Sequence, residues 1–157
     1  MKRTIAIASG IILISIISII GFYSFSNITG QTTFATIARV IDGDTVSLAN
    51  GKQVRLIGID APERGVQYYE QSKSKLEQLV EGKNVILEED VEKKDRYDRL
   101  LRYLYVDDVF VNLEMVRSGY ANVYIVLPNE KYAEELTQAE NEAIANKVGL
   151  WQFSDYE

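Results

Sequence analysis

The spacing of apolar residues changes character several times along the chain, and each change predicts an element. From Ile5 to Phe25 no residue is charged and isoleucine dominates. As a helix this run is about 30 Å long, enough to cross a bilayer. It predicts an N-terminal hydrophobic helix within residues 1–26, either a transmembrane anchor or a secretory signal peptide. Its length favours the anchor, although Ser24-Phe25-Ser26 is a small-x-small pattern that a peptidase accepts. Lys2 and Arg3 ahead of it favour a cytoplasmic N-terminus, with the rest of the chain outside the cell membrane. Cleavage would instead give a secreted product. Residues 27–33 read as a polar linker of Gly, Gln and Thr character.

After the linker the pattern becomes that of short strands. Phe34–Ile41, Thr45–Leu48 and Lys52–Ile59 are β candidates. Asp42-Gly43-Asp44 is a turn in which Gly43 can take a positive φ. Asn50-Gly51 predicts a type I′ hairpin turn. The three strands make an antiparallel meander with Asp42, Asp44 and Asp60 gathered at one end. Pro62 cannot donate to a ladder and biases Ala61 away from helix, so the third strand ends there. Gln67–Val80 carries Tyr69, Leu76, Leu79 and Val80 at helical spacing and stops at Gly82. Val85–Glu89 is a fourth strand, residues 93–99 a charged excursion, and Leu101–Val106 with Val109–Val111 a hairpin about Asp107-Asp108. Asn112 is placed to cap a short helix carrying Leu113 and Val116, closed by Gly119. Tyr120–Val126 is extended. Pro128-Asn129 opens a last helix with Tyr132, Leu136, Ala139, Ala143 and Ile144 on one face. Trp151 and Phe153 are expected to pin the C-terminus to the core. The order strand-strand-strand-helix-strand-strand is that of an OB-fold barrel. The expected fold class is therefore α+β, a five-stranded OB-fold β-barrel with about three helices, over residues 34–154.

Composition narrows the chemistry. The 157 residues include no Cys and no His. Disulfides, thiolate nucleophiles and zinc fingers are excluded, as are the commonest general base and most transition-metal sites. Catalysis would have to run on carboxylates, Lys, Arg, Tyr or hydroxyls, and a metal would be a hard ion with oxygen ligands. All 23 acidic residues and 15 of the 17 basic ones follow the linker, so that part of the chain carries a formal charge of −8. Such a field does not attract a polyanion, and a nucleic-acid ligand would need a local basic site.

Five side chains stand out. Asp44 and Asp60 lie on neighbouring segments of the meander. They suit a calcium ion, or else serve only the turns they stand in. Glu63, on the stiff turn after Pro62, is a candidate general base for a water, or a solvated turn residue. Arg55 and Arg99 are candidate phosphate clamps, or ordinary surface charges. On a regular strand Arg55 and Asp60 face opposite sides. Both serve one site only if the strand is interrupted between them, and Gly58 is the place for that.

Taken together, Asp42-Gly43-Asp44-Thr45, then Arg55-Leu56-x-x-x-Asp60-x-Pro62-Glu63, then Asp95-x-Tyr97-x-Arg99 and the ending Gly149-Leu150-Trp151 resemble the staphylococcal nuclease (thermonuclease) family from about Thr36 to Trp151. The resemblance implies a monomeric, calcium-dependent endonuclease that hydrolyses DNA and RNA with little sequence specificity and leaves 3′-phosphates. It implies that Asp44, Asp60 and the carbonyl of Ala61 bind Ca2+, and that Glu63 activates water. Arg55 and Arg99 would hold the scissile phosphate and Tyr97 a terminal one, and Tyr124 would stack on a base. Asp98 stands where that family usually has Gly, beside Arg99, and is a candidate to pair with it and weaken phosphate binding. The acidic charge implies weaker, more salt-sensitive substrate binding than in a basic nuclease. The alternative from another class is a non-catalytic OB-fold module at the cell surface that binds nucleic acid or protein.

Overall fold

The computed structural model of the protein describes residues 31–153. The expected membrane or signal helix lies outside these residues. Among the described residues no helix is long and apolar enough to cross a membrane.

Strand β1 (Thr32–Asp42) is long enough to serve two partners, and it takes in the last two residues read as linker. Its first part, Thr32–Thr36, pairs antiparallel with β5 (Asn84–Glu88), and its second part pairs with β2 (Thr45–Leu48). Register shifts between Ile37 and Arg39 and between Val40 and Asp42 bend the strand as it changes partner. β2 continues to β3 (Gln53–Leu56), and β5 to β6 (Leu100–Val106). The sheet closes where β3 meets β6 in parallel, with Arg55 opposite Leu101. The order β3-β2-β1-β5-β6 is thus a closed, mixed five-stranded barrel, as the sequence predicts. β4 (Gly58–Asp60) leaves it to pair with β8 (Asn122–Tyr124), and β7 (Val109–Phe110) adds a short hairpin to β6.

Three helices cover the barrel: α1 (Tyr69–Val80), α2 (Val111–Arg117) and α3 (Ala133–Ala145). Val46, Val54 and Leu104 from the strands meet Leu76, Met115 and Leu136 from the helices in one fully buried cluster. Each such side chain contributes ~1.5–3 kcal/mol of burial.

Several local expectations are corrected. Gly51 has φ 82, but Asn50 does not share the left-handed region. The Gly51 N–H bonds to Leu48 O at 2.9 Å and the Leu48 N–H to Lys52 O at 2.8 Å. This is a three-residue loop with a glycine bulge, not a type I′ turn. Gly43 is not in the left-handed region either. A Cβ there would lie 2.6 Å from that of Ala61 and 2.9 Å from that of Ser72, so the residue is small because α1 and the turn after β4 press on it. Pro128 stands in a turn closed by Asn129 N–H to Val126 O, and α3 begins only at Ala133. Its buried face is Leu136, Ala139 and Ala143, whereas Ile144 is exposed. At the C-terminus Leu150, in a 3-10 helix over Gly149–Gln152, enters the core, while Trp151 and Phe153 are half-buried.

The strand expected over Lys52–Ile59 is broken in two. β3 ends at Leu56 and β4 starts at Gly58, which has φ 80 and would touch Leu136 Cδ1 at 2.6 Å if it carried a Cβ. Asn112 holds this break. It is not a helix cap but a fully buried bridge inside α2. Its Nδ2 donates to Ile57 O at 2.8 Å and its Oδ1 accepts the Leu104 N–H at 3.0 Å. Asn112→Ala orphans a buried carbonyl and a buried N–H, at about 1–3 kcal/mol each. The expected loss is ~2–4 kcal/mol, read as a lower urea midpoint at unchanged slope. A loss below ~0.5 kcal/mol would mean that water replaces the side chain.

Candidate functional site

The break at Ile57 and Gly58 solves the parity problem posed by Arg55 and Asp60. Past the bend the two side chains meet, with Arg55 Nη2 2.7 Å from Asp60 Oδ1. Arg55 Nε lies 3.0 Å from Asp44 Oδ1. Its Nη1 donates to Leu56 O at 2.7 Å and Ile59 O at 2.6 Å, so the guanidinium also fastens the bend itself. Arg55 is thus wedged between two aspartates and two carbonyls, with a side chain only 14% exposed.

Asp44 is the buried member of the pair. Besides Arg55 it accepts the Thr45 hydroxyl at 2.9 Å and, through Oδ2, the Ala61 N–H at 2.9 Å. Burial pushes its carboxyl up to about 7, and the neighbouring Asp42 adds to this; Arg55 and the Ala61 N–H pull the other way without cancelling it. The site therefore holds one carboxylate with less positive charge around it than its burial calls for. Asp60 is the open member, its side chain 51% exposed. Two hard oxygen donors, one buried and one facing water, with the Ala61 peptide bonded to the first, fit a calcium ion that completes its shell with water. Among the described residues no group of three or more acidic side chains forms a ready-made metal cage. An ion here also competes with the guanidinium for carboxylate oxygens.

On the other side of Arg55 lies a cleft of about 460 Å³. Its walls are the β3–β4 bend, the 92–101 segment and the start of the loop after β8, and it collects Arg55, Tyr97, Arg99 and Tyr124. The 95–99 loop is built around Asp95. Its Oδ1 accepts the N–H groups of Tyr97 (2.9 Å) and Arg99 (3.0 Å), and its Oδ2 pairs with Arg99 Nε at 2.6 Å. Burial alone would raise the Asp95 carboxyl, but these Arg99 and Tyr97 donors hold it below the usual carboxylate range. Arg99 lines the cleft, its side chain bonds to Asp95 through Nε, and its guanidinium carbon lies 5.5 Å from the Tyr97 ring centroid. Tyr97 and Tyr124 are well exposed, at 64% and 57%.

Asp98 does not pair with Arg99. Its carboxylate meets Lys94 Nζ at 2.6 Å, and its φ of 66 is a conformation that glycine adopts more readily. The structure thus joins Asp44, Arg55, Asp60 and Ala61 in one bonded cluster and opens Arg55, Tyr97, Arg99 and Tyr124 onto one cleft. Glu63 belongs to neither set. It is exposed on the turn where Val66 N–H bonds back to its carbonyl, and its carboxylate forms no hydrogen bond or ion pair among the described residues. Sequence reasoning missed the organising roles of Asp95 and Asn129. Asn129 bonds both the N–H (2.7 Å) and the carbonyl (2.9 Å) of Glu92, and so fixes the cleft's far wall. Asp95 left a legible signal, a short acceptor two and four residues ahead of the N–H groups it holds.

This arrangement can be set beside known proteins. A family model described as staphylococcal nuclease homologue matches residues 53–153, most of the described chain. The chain belongs to the staphylococcal nuclease family. Among curated members, a thermonuclease of Staphylococcus hyicus is 36% identical over 135 residues, covering 80% of this chain and 79% of that protein. A thermonuclease of Staphylococcus intermedius is 29% identical over 164 residues, covering 93% and 98%. The endonuclease YncB of Bacillus subtilis is 38% identical over 132 residues, covering 77% of this chain and 63% of YncB. The chain carries Asp44, Arg55, Asp60 and Arg99 on a barrel of acidic overall charge.

Proposed function

We propose that the protein is a calcium-dependent nuclease that hydrolyses DNA and RNA phosphodiesters with little sequence specificity, held outside the cell membrane by residues 1–26 or released by their cleavage. The observation that carries this reading is the single guanidinium of Arg55, bonded to both aspartates and lining the cleft that also holds Arg99. A phosphodiester in the cleft meets the guanidinium of Arg99 and the one N–H that Arg55 has not already committed, and these contacts strengthen as charge builds on its oxygens. Tyr97 and Tyr124 offer exposed rings for flanking groups, and stacking of this kind tolerates any base. Glu63 takes the proton of a water as its oxygen forms the new bond to phosphorus. The bond from phosphorus to the 5′ oxygen breaks, the departing oxygen takes a proton from solvent, and the phosphate stays on the 3′ side. Bound at Asp44, Asp60 and the Ala61 carbonyl, calcium would supply Lewis-acid stabilisation of the phosphate charge.

Two readouts test this. Hydrolysis of single-stranded DNA should require calcium and stop in chelator; binding without turnover in calcium would favour the non-catalytic module instead. Independently of activity, calcium at about 100 times its Kd should stabilise the fold by ~2.7 kcal/mol, a rise of several degrees in Tm. Asp44→Asn should abolish that rise. An equal calcium shift in wild type and variant would place the ion elsewhere.

A further inference from the structure

A second basic pocket lies away from the cleft and shares no lining residue with it. It is a shallow basin of about 610 Å³ lined by Tyr68, Lys75, Arg117, Tyr120 and Lys147, with Gly149 in its floor. Three cations converge here on a chain whose overall charge is negative.

The convergence is built, not incidental. Gly119 and Gly149 both have positive φ and lie backbone against backbone, and a Cβ on Gly119 would sit 2.3 Å from Val148 O. Leu150 N–H bonds to Gly119 O at 2.8 Å. This contact brings the end of α2, with Arg117, to the segment that carries Lys147. Ser72 Oγ donates to Tyr120 O, which seats Tyr120 on α1. Lys75, one turn further along α1, then lies 5.7 Å from the Tyr120 ring centroid. Tyr68 stacks on Tyr120 at 5.5 Å and meets Phe153 edge-on at 5.9 Å, which makes a rigid aromatic wall.

The charges are unequally spent. Lys75 is paired with Glu114 at 2.9 Å, and Glu114 also accepts the Ser118 hydroxyl. Arg117 and Lys147 are exposed and form no hydrogen bond or ion pair among the described residues, although Arg117 also lies in the field of the Glu114 carboxylate. Lys147 even keeps a φ of 52, a conformation better suited to glycine. Two exposed cations beside an aromatic wall suit anionic groups spaced along a chain.

The basin and the carboxylate cluster are linked through α1. Ser72, which holds Tyr120, is the residue that Gly43 packs against, next to Asp44. The loop that bears Glu63 runs five residues to Tyr68, so their Cα atoms are within about 18 Å of each other. A strand leaving the carboxylate cluster along this loop reaches the basin within a few nucleotides.

We infer that the basin of Lys75, Arg117 and Lys147 is a secondary anion site, which holds backbone phosphates of the same nucleic-acid strand beyond the bond that is cut. It rests on the nuclease reading for the identity of that strand. It gives an acidic protein the local field that its net charge withholds, and makes long strands better ligands than short ones.

The test is the double variant Arg117→Gln/Lys147→Gln in the full chain. The primary probe is a fluorescein-labelled 20-nucleotide oligo-dT, whose binding is followed by anisotropy in chelator across a salt series. Loss of two phosphate contacts should lower the slope of log K against log salt by about 1.4 and weaken binding at 0.1 M salt on the order of tenfold. A labelled dinucleotide, too short to span both sites, should bind and be cleaved as in wild type. An unchanged slope, or equal losses on both probes, would overturn the inference. Both residues also lie at or just past helix C-termini, where cations are favourable. If that is their whole role, the double variant lowers Tm and leaves the salt slope alone, which likewise overturns it. Because binding is read without turnover, a protein that binds in this pattern but never cleaves fails the nuclease reading and keeps the basin.

Discussion

Glu63→Gln is expected to lower kcat on single-stranded DNA by ~10²–10⁴-fold with the fold and the calcium-induced rise in Tm unchanged. The substitution removes the only property that the mechanism asks of this side chain, its ability to take a proton. It should cost almost nothing structurally, because the carboxylate is exposed and makes no hydrogen bond or ion pair among the described residues. Exposed positions of this kind change stability by at most about 0.5 kcal/mol. The chain places Glu63 three residues beyond Asp60, within about 11 Å of it between Cα atoms. The mechanism asks that a water held between substrate and carboxylate link them. The check is a single-turnover rate beside a denaturation curve for the same sample. A rate within tenfold of wild type would mean that attack proceeds without this base, and a large fall in Tm would mean that Glu63 has a structural partner.

The parts of this molecule that the sequence made legible are those governed by local rules. Alternating strands, the helical stripe of Leu76 and Val80, and the left-handed Gly58 all follow from short-range sterics and periodicity. So does the need to interrupt the strand between Arg55 and Asp60, since a period of two leaves no other way to unite them. What stayed hidden depends on partners distant in the chain. Asn112 looks like a cap because caps are local, yet its partners are Ile57 and Leu104, the first of them 55 residues away. Gly43 looks like a flexible turn residue, yet it is small because Ala61 and Ser72 fold against it. Asp98 looks like a rival for Arg99, yet the Asp95 loop turns it toward Lys94. At the site the motif singled out residues that the fold brings close together, Asp44, Arg55 and Asp60. It did not show that Arg55 spends its donors on four acceptors, nor that Glu63 stands apart from them.

That crowding around Arg55 leads to the largest expected effect on stability. Arg55→Met above about pH 8 is expected to cost ~3–5 kcal/mol, the usual penalty when one partner of a buried ion pair is removed and the other stays. Both side chains are well covered, at 14% and 9% exposed, so solvent screening does little to reduce this. The Leu56 and Ile59 carbonyls lose a donor as well. The sign of the pH dependence follows from Asp44. Its folded pKa is already raised by burial, and removing Arg55 takes away the main opposing influence, so it rises further. A carboxyl raised in the folded state keeps a proton that the unfolded chain gives up above about pH 4. Its contribution to stability is therefore whole below that pH and is lost as pH climbs toward the folded pKa. Between about pH 4 and pH 7 Asp44 keeps its proton in both folded proteins and the variant should track wild type; above pH 7, where only wild type ionises it beside Arg55, the variant should fall steadily behind. Calcium should oppose the loss, and its stabilising effect should be larger in the variant than in wild type, because no guanidinium competes for the aspartates. The double variant Arg55→Met/Asp44→Asn should recover most of the stability, with a coupling energy of up to ~3 kcal/mol between the two positions. Arg55→Lys should restore charge but not the fork that reaches four acceptors, and recover only part. Catalysis should stay ~10²–10³-fold down in all three, since none offers phosphate the Arg55 guanidinium. Equal destabilisation at pH 4 and pH 8 would show that packing, and not the stranded charge of Asp44, sets the cost.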